Sequence, residues 1–114
     1  MNPYKLTNKE YILIENNTAS LGGGIHIWDN SSPLLNNVII SNNSAEGEGG
    51  GIYSYNSSLT LSNSFISDNW AGAGGGGITV DGTSVEYSQL SINNSIIKSN
   101  TSEHAGGGLL GVRT

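Results

Sequence analysis

Side chains able to bind ions or move protons are scarce in this sequence: nine Asp and Glu, four Lys and Arg and two His among 114 residues, with a formal charge of −5. Breaking a polysaccharide needs clustered carboxylates that hold calcium or act as acid and base, plus a Lys or Arg that takes a proton or grips an anionic sugar. The residues that could supply such a site are Asp29, Asp68, Asp81, Lys98 and Arg113. His26 and His104 lie far apart in the sequence and read as solvated or hydrogen-bonded imidazoles, not metal ligands. The Gly-Gly-Gly-Ile runs lack the Lys-Ser/Thr of a phosphate loop and lead into strand-like sequence. Trp28, Tyr53, Tyr55, Trp70 and Tyr87 interrupt otherwise polar positions. Exposed aromatics hold sugar faces or anchor a protein partner, and the candidate binding set is Trp28, Tyr55, Trp70, Asp81 and Tyr87. The alternative is that these rings lie over neighbouring glycines and fill the space left there.

Composition narrows the partners. With four basic residues no stripe can neutralise phosphates, so nucleic acid is excluded as a partner and anionic membranes are disfavoured. No window approaches eighteen consecutive apolar residues, so this segment does not insert in a membrane, and an export signal is expected to lie outside the chain. The absence of cysteine rules out disulfides and thiolate metal sites. Seventeen Gly, seventeen Ser and fifteen Asn resemble the composition of a flexible linker unless they recur at a fixed period.

They do recur. NNTASLGGGI (Asn16 to Ile25) returns as NNSAEGEGGGI (Asn42 to Ile52), DNWAGAGGGGI (Asp68 to Ile78) and SNTSEHAGGGL (Ser99 to Leu109). SSPLLNNVIIS (Ser31 to Ser41) returns as SSLTLSNSFIS (Ser57 to Ser67) and YSQLSINNSIIK (Tyr87 to Lys98). A period of about 26 residues, with short Ile-rich stretches broken by Asn, Ser and Gly, predicts a solenoid of short strands joined by turns. The expected fold is all-β: a right-handed, single-stranded parallel β-helix of about four coils, with three short strands per coil. Stacking in register turns polar columns into hydrogen-bonded ladders, expected at Asn17, Asn43, Asn69 and Asn100 and at Asn37, Asn63 and Asn94. Two adjacent columns, Leu13, Ile39, Phe65, Ile96 and Ile14, Ile40, Ile66, Ile97, are both apolar, and the pattern leaves open which faces inward.

Register also disperses the charged candidates. Asp68 falls with Asn16, Asn42 and Ser99 and reads as a turn residue; Asp29 and Asp81 read as corresponding turns roughly 10 Å apart; Lys98 falls under Ser67. No pair converges, so the chain is expected to be non-catalytic, with no cofactor and no metal. One repeat is longer by five residues, which places an insertion loop at 80–87, where Asp-Gly signals a turn.

The run Phe65-Ile-Ser-Asp-Asn-Trp-Ala71, followed by Gly74 to Ile78, and the parallel run Ile39 to Ile52, resemble the FxxN and GGA[I/L/V] repeats of polymorphic outer membrane proteins and of right-handed β-helix repeats in bacterial surface and secreted proteins. The resemblance spans Tyr11 to Leu109. It implies a passenger-type module at a cell surface or outside the cell, linked to adhesion, with a glycan or protein receptor as partner. Residues 1–114 then form one domain, a fragment of a longer solenoid. Open coil ends predict self-stacking. The competing reading is a fragment of a pectate-lyase-like carbohydrate-active enzyme.

Overall fold

In the computed structural model the described residues are 10–83 and 88–113, and their regular structure is entirely strand. Sheet A stacks β1 (Ile12–Glu15), β5 (Val38–Ser41), β9 (Phe65–Ser67) and β13 (Ile96–Lys98). Sheet B stacks β2 (Thr18–Ala19), β6 (Ser44–Ala45), β10 (Trp70–Ala71) and β14 (Thr101–Ser102). Sheet C stacks β3 (Ile25–Trp28), β7 (Ile52–Tyr55), β11 (Ile78–Gly82) and β15 (Leu109–Arg113), and sheet D stacks β4 (Leu34–Asn36), β8 (Ser58–Ser62) and β12 (Gln89–Asn93). All pairings are parallel, and the chain visits A, B, C and D in turn, so one circuit is one repeat. Against the three strands expected per coil there are four. The extra one, in sheet B, is only two residues long, squeezed between a left-handed corner and the glycines, too short to show the alternation that marks a strand in the sequence.

Corners are built by residues that tolerate positive φ. Asn16, Asn42, Asp68 and Ser99 turn the chain from A to B, Asn30 and Asn56 from C to D, and Asn37, Asn63 and Asn94 from D to A. A left-handed residue breaks the backbone ladder locally, and the serine after it closes the gap. Ser57, Ser64 and Ser95 each donate their Oγ to the carbonyl two residues back, and their hydroxyls accept from the backbone N–H of Ser31, Val38 and Ser64 in the preceding coil. The expected side-chain ladder at Asn37, Asn63 and Asn94 is therefore corrected. That column repeats a backbone conformation, and its side-chain bonding among the described residues is a single contact, Asn63 Nδ2 to Asn36 Oδ1 at 3.0 Å.

The other asparagine column is a continuous side-chain ladder. Asn43 and Asn69 are fully buried. Asn69 Oδ1 accepts from the backbone N–H and Nδ2 of Asn43, at 2.9 and 3.0 Å, while Asn69 Nδ2 donates to Ile40 O at 3.0 Å and to Asn100 Oδ1 at 2.9 Å. The same bonds join Asn17 to Asn43, and Asn69 N–H to Asn100. Both ends of each internal amide are satisfied, which removes the desolvation penalty that burial otherwise carries. The glycines make room for it: a Cβ on Gly51 would stand 3.1 Å from Asn69 Nδ2 and 2.6 Å from Gly77 O, while Gly49 before it has a φ of +68°.

Corner position also resolves the two apolar columns. With the chain turning at Asn37, Val38 and Ile40 point inward and Ile39 outward. Ile14, Ile40, Ile66 and Ile97 thus belong to the core, with Ile52, Ile78, Leu59 and Leu61 from sheets C and D. Each such side chain removed from water contributes roughly 1.5–3 kcal/mol. The outward column is partly covered, the Tyr11 ring meeting Phe65 edge-on at 6.0 Å.

The insertion begins later than expected. Asp81 pairs with Tyr55 and Gln89 with Ser58, so the five extra residues fall between Asp81 and Gln89. Val80, Asp81 and Gly82 continue β11 and are not loop. Residues 84–87, including the candidate Tyr87, lie outside the described residues.

Candidate functional site

The outer face of sheet C gathers aromatic and acidic side chains. In β3 and β7 alternate residues enter the core, Ile25 and Ile27, then Ile52 and Ser54, which leaves His26, Trp28, Tyr53 and Tyr55 outside. Parallel register sets His26, Tyr53 and Thr79 in one outer column and Trp28, Tyr55 and Asp81 in the next. Trp28 and Tyr55 stack with ring centroids 4.5 Å apart and planes 17° from parallel. His26 stands edge-on to both Trp28, at 5.7 Å, and Tyr53, at 5.2 Å. Because Tyr55 covers one face of the indole and Trp28, on the edge strand β3, is still 56% exposed, the face of Trp28 turned away from Tyr55 is open.

Below the rings lies a carboxylate. Tyr53 Oη donates to Asp81 Oδ2 at 2.8 Å, and Asp81 Oδ1 accepts from Gly82 N at 2.7 Å. Both Tyr53 and Asp81 are buried although they sit on the outward side of the sheet. Thr79, beside them, accepts from Gly75 N at 2.7 Å. Burial pushes the Tyr53 phenol well above its ordinary range, with the hydrogen bond to Asp81 and its charge adding to the effect. Glu48, at the edge of this group and against Gly74, has its carboxyl raised by burial and by the charge of Asp81. The site is thus an aromatic shelf over a buried carboxylate, whose two oxygens accept from Tyr53 and Gly82, with a second carboxyl beside it.

Three candidates from the sequence meet here: Trp28, Tyr55 and Asp81 share one column. Trp70 does not join them. It sits in sheet B, in register with Ser44 and Thr101, with its ring over Gly72. Asp81 is not in the turn that holds Asp29; it is a strand residue, whereas Asp29 is exposed at the C to D corner with a φ of 47°. Asp68 is likewise an exposed corner residue, and Lys98 pairs with Ser67 in sheet A. His26 and Glu48 were missed. His26 was legible, since it lies two residues from Trp28 on a strand and must share its face; Glu48 belongs to a corner whose geometry no period encodes.

Among the described residues no group of three or more His, Cys, Asp or Glu is placed to hold a metal ion, and no helix is long and apolar enough to cross a membrane. A model of the right-handed β-helix region matches residues 2–111. The chain belongs to the right-handed β-helix family. No curated protein and no solved structure matches it. In this β-helix the strand register sets His26 beside Tyr53 and Trp28 beside Tyr55, one strand separation of about 4.8 Å apart.

Proposed function

We propose that this β-helix is a non-catalytic binding module of a bacterial surface or secreted protein, of the kind that polymorphic outer membrane protein repeats supply, and that the outer face of sheet C binds a glycan in adhesion. The observation that carries the reading is the Trp28–Tyr55 stack, with an open indole face, in the same column as the fixed carboxylate of Asp81. A sugar ring lays its apolar C–H face on an aromatic ring, and the open indole face of Trp28 offers that platform, with Asp81 two coils away on the far side of Tyr55. Asp81 and Glu48 make the face acidic, which favours neutral or amino sugars and repels polyuronates. A pectate-lyase-like reading has one observation in its favour, the raised Glu48 carboxyl beside Asp81. Neither Lys98, in sheet A, nor His104, exposed beside Glu103, stands near that pair.

Isothermal titration with neutral and amino-sugar oligosaccharides tests the proposal. Binding is expected, and Trp28→Ala weakens it about tenfold or more. No heat with any of these sugars, or equal binding by the variant, overturns it. Calcium-dependent shortening of oligogalacturonate by the wild-type chain would move the assignment to the enzyme.

A further inference from the structure

Trp70 is the one bulky residue in a column of small ones. The outward residues of sheet B read Thr18, Ser44, Trp70 and Thr101, so the indole stands between two hydroxyl side chains too short to cover it. Its ring folds along the strand over Gly72, where a Cβ would stand 3.5 Å from the indole Cη2 and would run into the Glu46 carbonyl. The glycine thus seats one side of the ring on backbone, while the side chain keeps 36% of its surface in water. β10 is paired on both sides, with β6 and with β14, so this is the exposure of an inner strand. The register surrounds the ring with carboxylates. Gly72 N donates to Ala45 O and Glu103 N to Ala71 O, which makes Glu46 and Glu103 the neighbours of Gly72 one coil before and one coil after. Both are exposed, and so is Asp68, at the corner two residues ahead of Trp70. Among the described residues Glu46 and Asp68 make no ion pair, and Glu103 meets the exposed imidazole of His104 at 3.8 Å.

We propose that the outer face of sheet B is a second binding site, separate from the sheet C shelf, which takes an N-methylated organic ammonium group on the Trp70 indole between Glu46 and Glu103. A cation is attracted to the face of an indole within about 6 Å of the ring centroid, and acidic flanks add to that attraction. The spacing selects the kind of cation. Glu46 and Glu103 are rooted two strand separations, about 10 Å, apart, whereas oxygens that hold a metal ion converge to within about 2.6 Å of one centre. A bulky ammonium group needs no such convergence. Its methyl groups rest on the ring, its charge lies between the two carboxylates, and it sheds less water than a primary ammonium, which is compact and strongly hydrated. A neutral sugar could use the ring but gains nothing from the acids beside it.

Free choline is the probe. Its controls are the alcohol that carries a tert-butyl group in place of trimethylammonium, which keeps the shape and lacks the charge, and ethanolamine, which keeps the charge and lacks the methyl groups. The chain has two tryptophans, so heteronuclear NMR spectra hold two indole N–H signals, which Trp28→Phe assigns. Choline is expected to shift the Trp70 signal with a dissociation constant of about 1–10 mM, and both controls bind about tenfold more weakly or less. The double variant Glu46→Gln/Glu103→Gln weakens choline binding about tenfold, and added salt weakens the wild type more than this variant. Trp70→Ala abolishes saturation transfer from the protein to the choline methyl protons. Should that variant fail to fold, the double glutamine variant, which leaves the indole in place, carries the test. No shift at about 100 mM choline, a shift at Trp28 alone, equal binding by either control, unchanged binding by the glutamine variant, or saturation transfer that persists in folded Trp70→Ala would each overturn the inference. Sugar binding on sheet C is read with other ligands and through the other tryptophan, so either site can fail without the other.

Discussion

The interior corner of sheets A and B and the outer face of sheet C are built on the same coil spacing and use it in opposite ways. Along the corner like lies over like: Asn17, Asn43, Asn69 and Asn100 repeat one side chain and one hydrogen-bond pattern. Across sheet C the outer columns change at every step, from His26 to Tyr53 to Thr79 and from Trp28 to Tyr55 to Asp81. A buried amide between coils has no water to turn to, so it needs partners at fixed positions, which a stacked Asn and the backbone beside it supply. An outward side chain has no such demand and is free to differ. Uniform columns hold the solenoid together, and varied columns are where a surface can be specific.

The sharpest way to break that contrast is to interrupt the uniform column. Asn69→Ala strands the Asn43 N–H, leaves Asn43 Nδ2 with only its bond to the Ile14 carbonyl and removes the side-chain donor to the Ile40 carbonyl, and urea unfolding is expected to lose about 3–5 kcal/mol of stability. Ser54 runs the other way. Its Oγ is buried between Ile27 and Val80 with no hydrogen-bond partner, the one place among the described residues where a core column holds an orphaned polar side-chain atom. Ser54→Ala removes that hydroxyl, and the same measurement is expected to show a gain of about 1 kcal/mol. On the varied face Trp28→Ala is expected to shift unfolding by less than about 1 kcal/mol, since the indole is more exposed than covered, while removing sugar binding. A comparable stability loss at Trp28 and at Asn69 would erase the distinction between the two regions.

The smallest effect concerns pH. The Glu48 carboxyl is raised in the folded chain, so folding favours its protonated form: that contribution is fully present below the ordinary value of 4.5 and is lost as pH rises through the raised one. Glu48→Gln is therefore expected to stabilise the chain slightly at neutral pH and to leave it unchanged under acid conditions. Thermal unfolding of both chains at pH 4 and pH 7 checks the sign, and an equal difference at the two pH values would contradict it.

Much of this organisation was legible in the sequence because a solenoid writes its register directly into its period. The columns headed by Asn17 and by Ile14 follow from aligning the repeats, and the structure pairs those residues. What the period does not carry is phase. Ile39 and Ile40 are both apolar, and only the left-handed Asn37 just ahead of them determines which one enters the core. The same gap hid the true place of Asp81. Asp-Gly reads as a turn, yet Gly82 pairs with Arg113 as a strand residue, and Tyr53, 28 positions earlier, reaches diagonally across the sheet to the carboxylate. Diagonal contacts between coils leave no mark at the repeat length. Ser57, Ser64 and Ser95, which follow left-handed asparagines, were missed for a different reason: in a chain with seventeen Ser, those at the corners look like all the others.

The five extra residues after Gly82 show how such a chain can change its length. They enter at a corner, and the columns on either side of it keep their partners, with Asp81 over Tyr55 before it and Gln89 over Ser58 after it. One residue added inside β8 or β11 would turn every later side chain of that strand to the opposite face. Length in this architecture is therefore quantised: whole coils of 26 can be gained or dropped, the corner from sheet C to sheet D absorbs five extra residues, and strands can absorb nothing. A lineage of such chains would change length at the C to D bend and grow by duplication, while the strands between keep a fixed count.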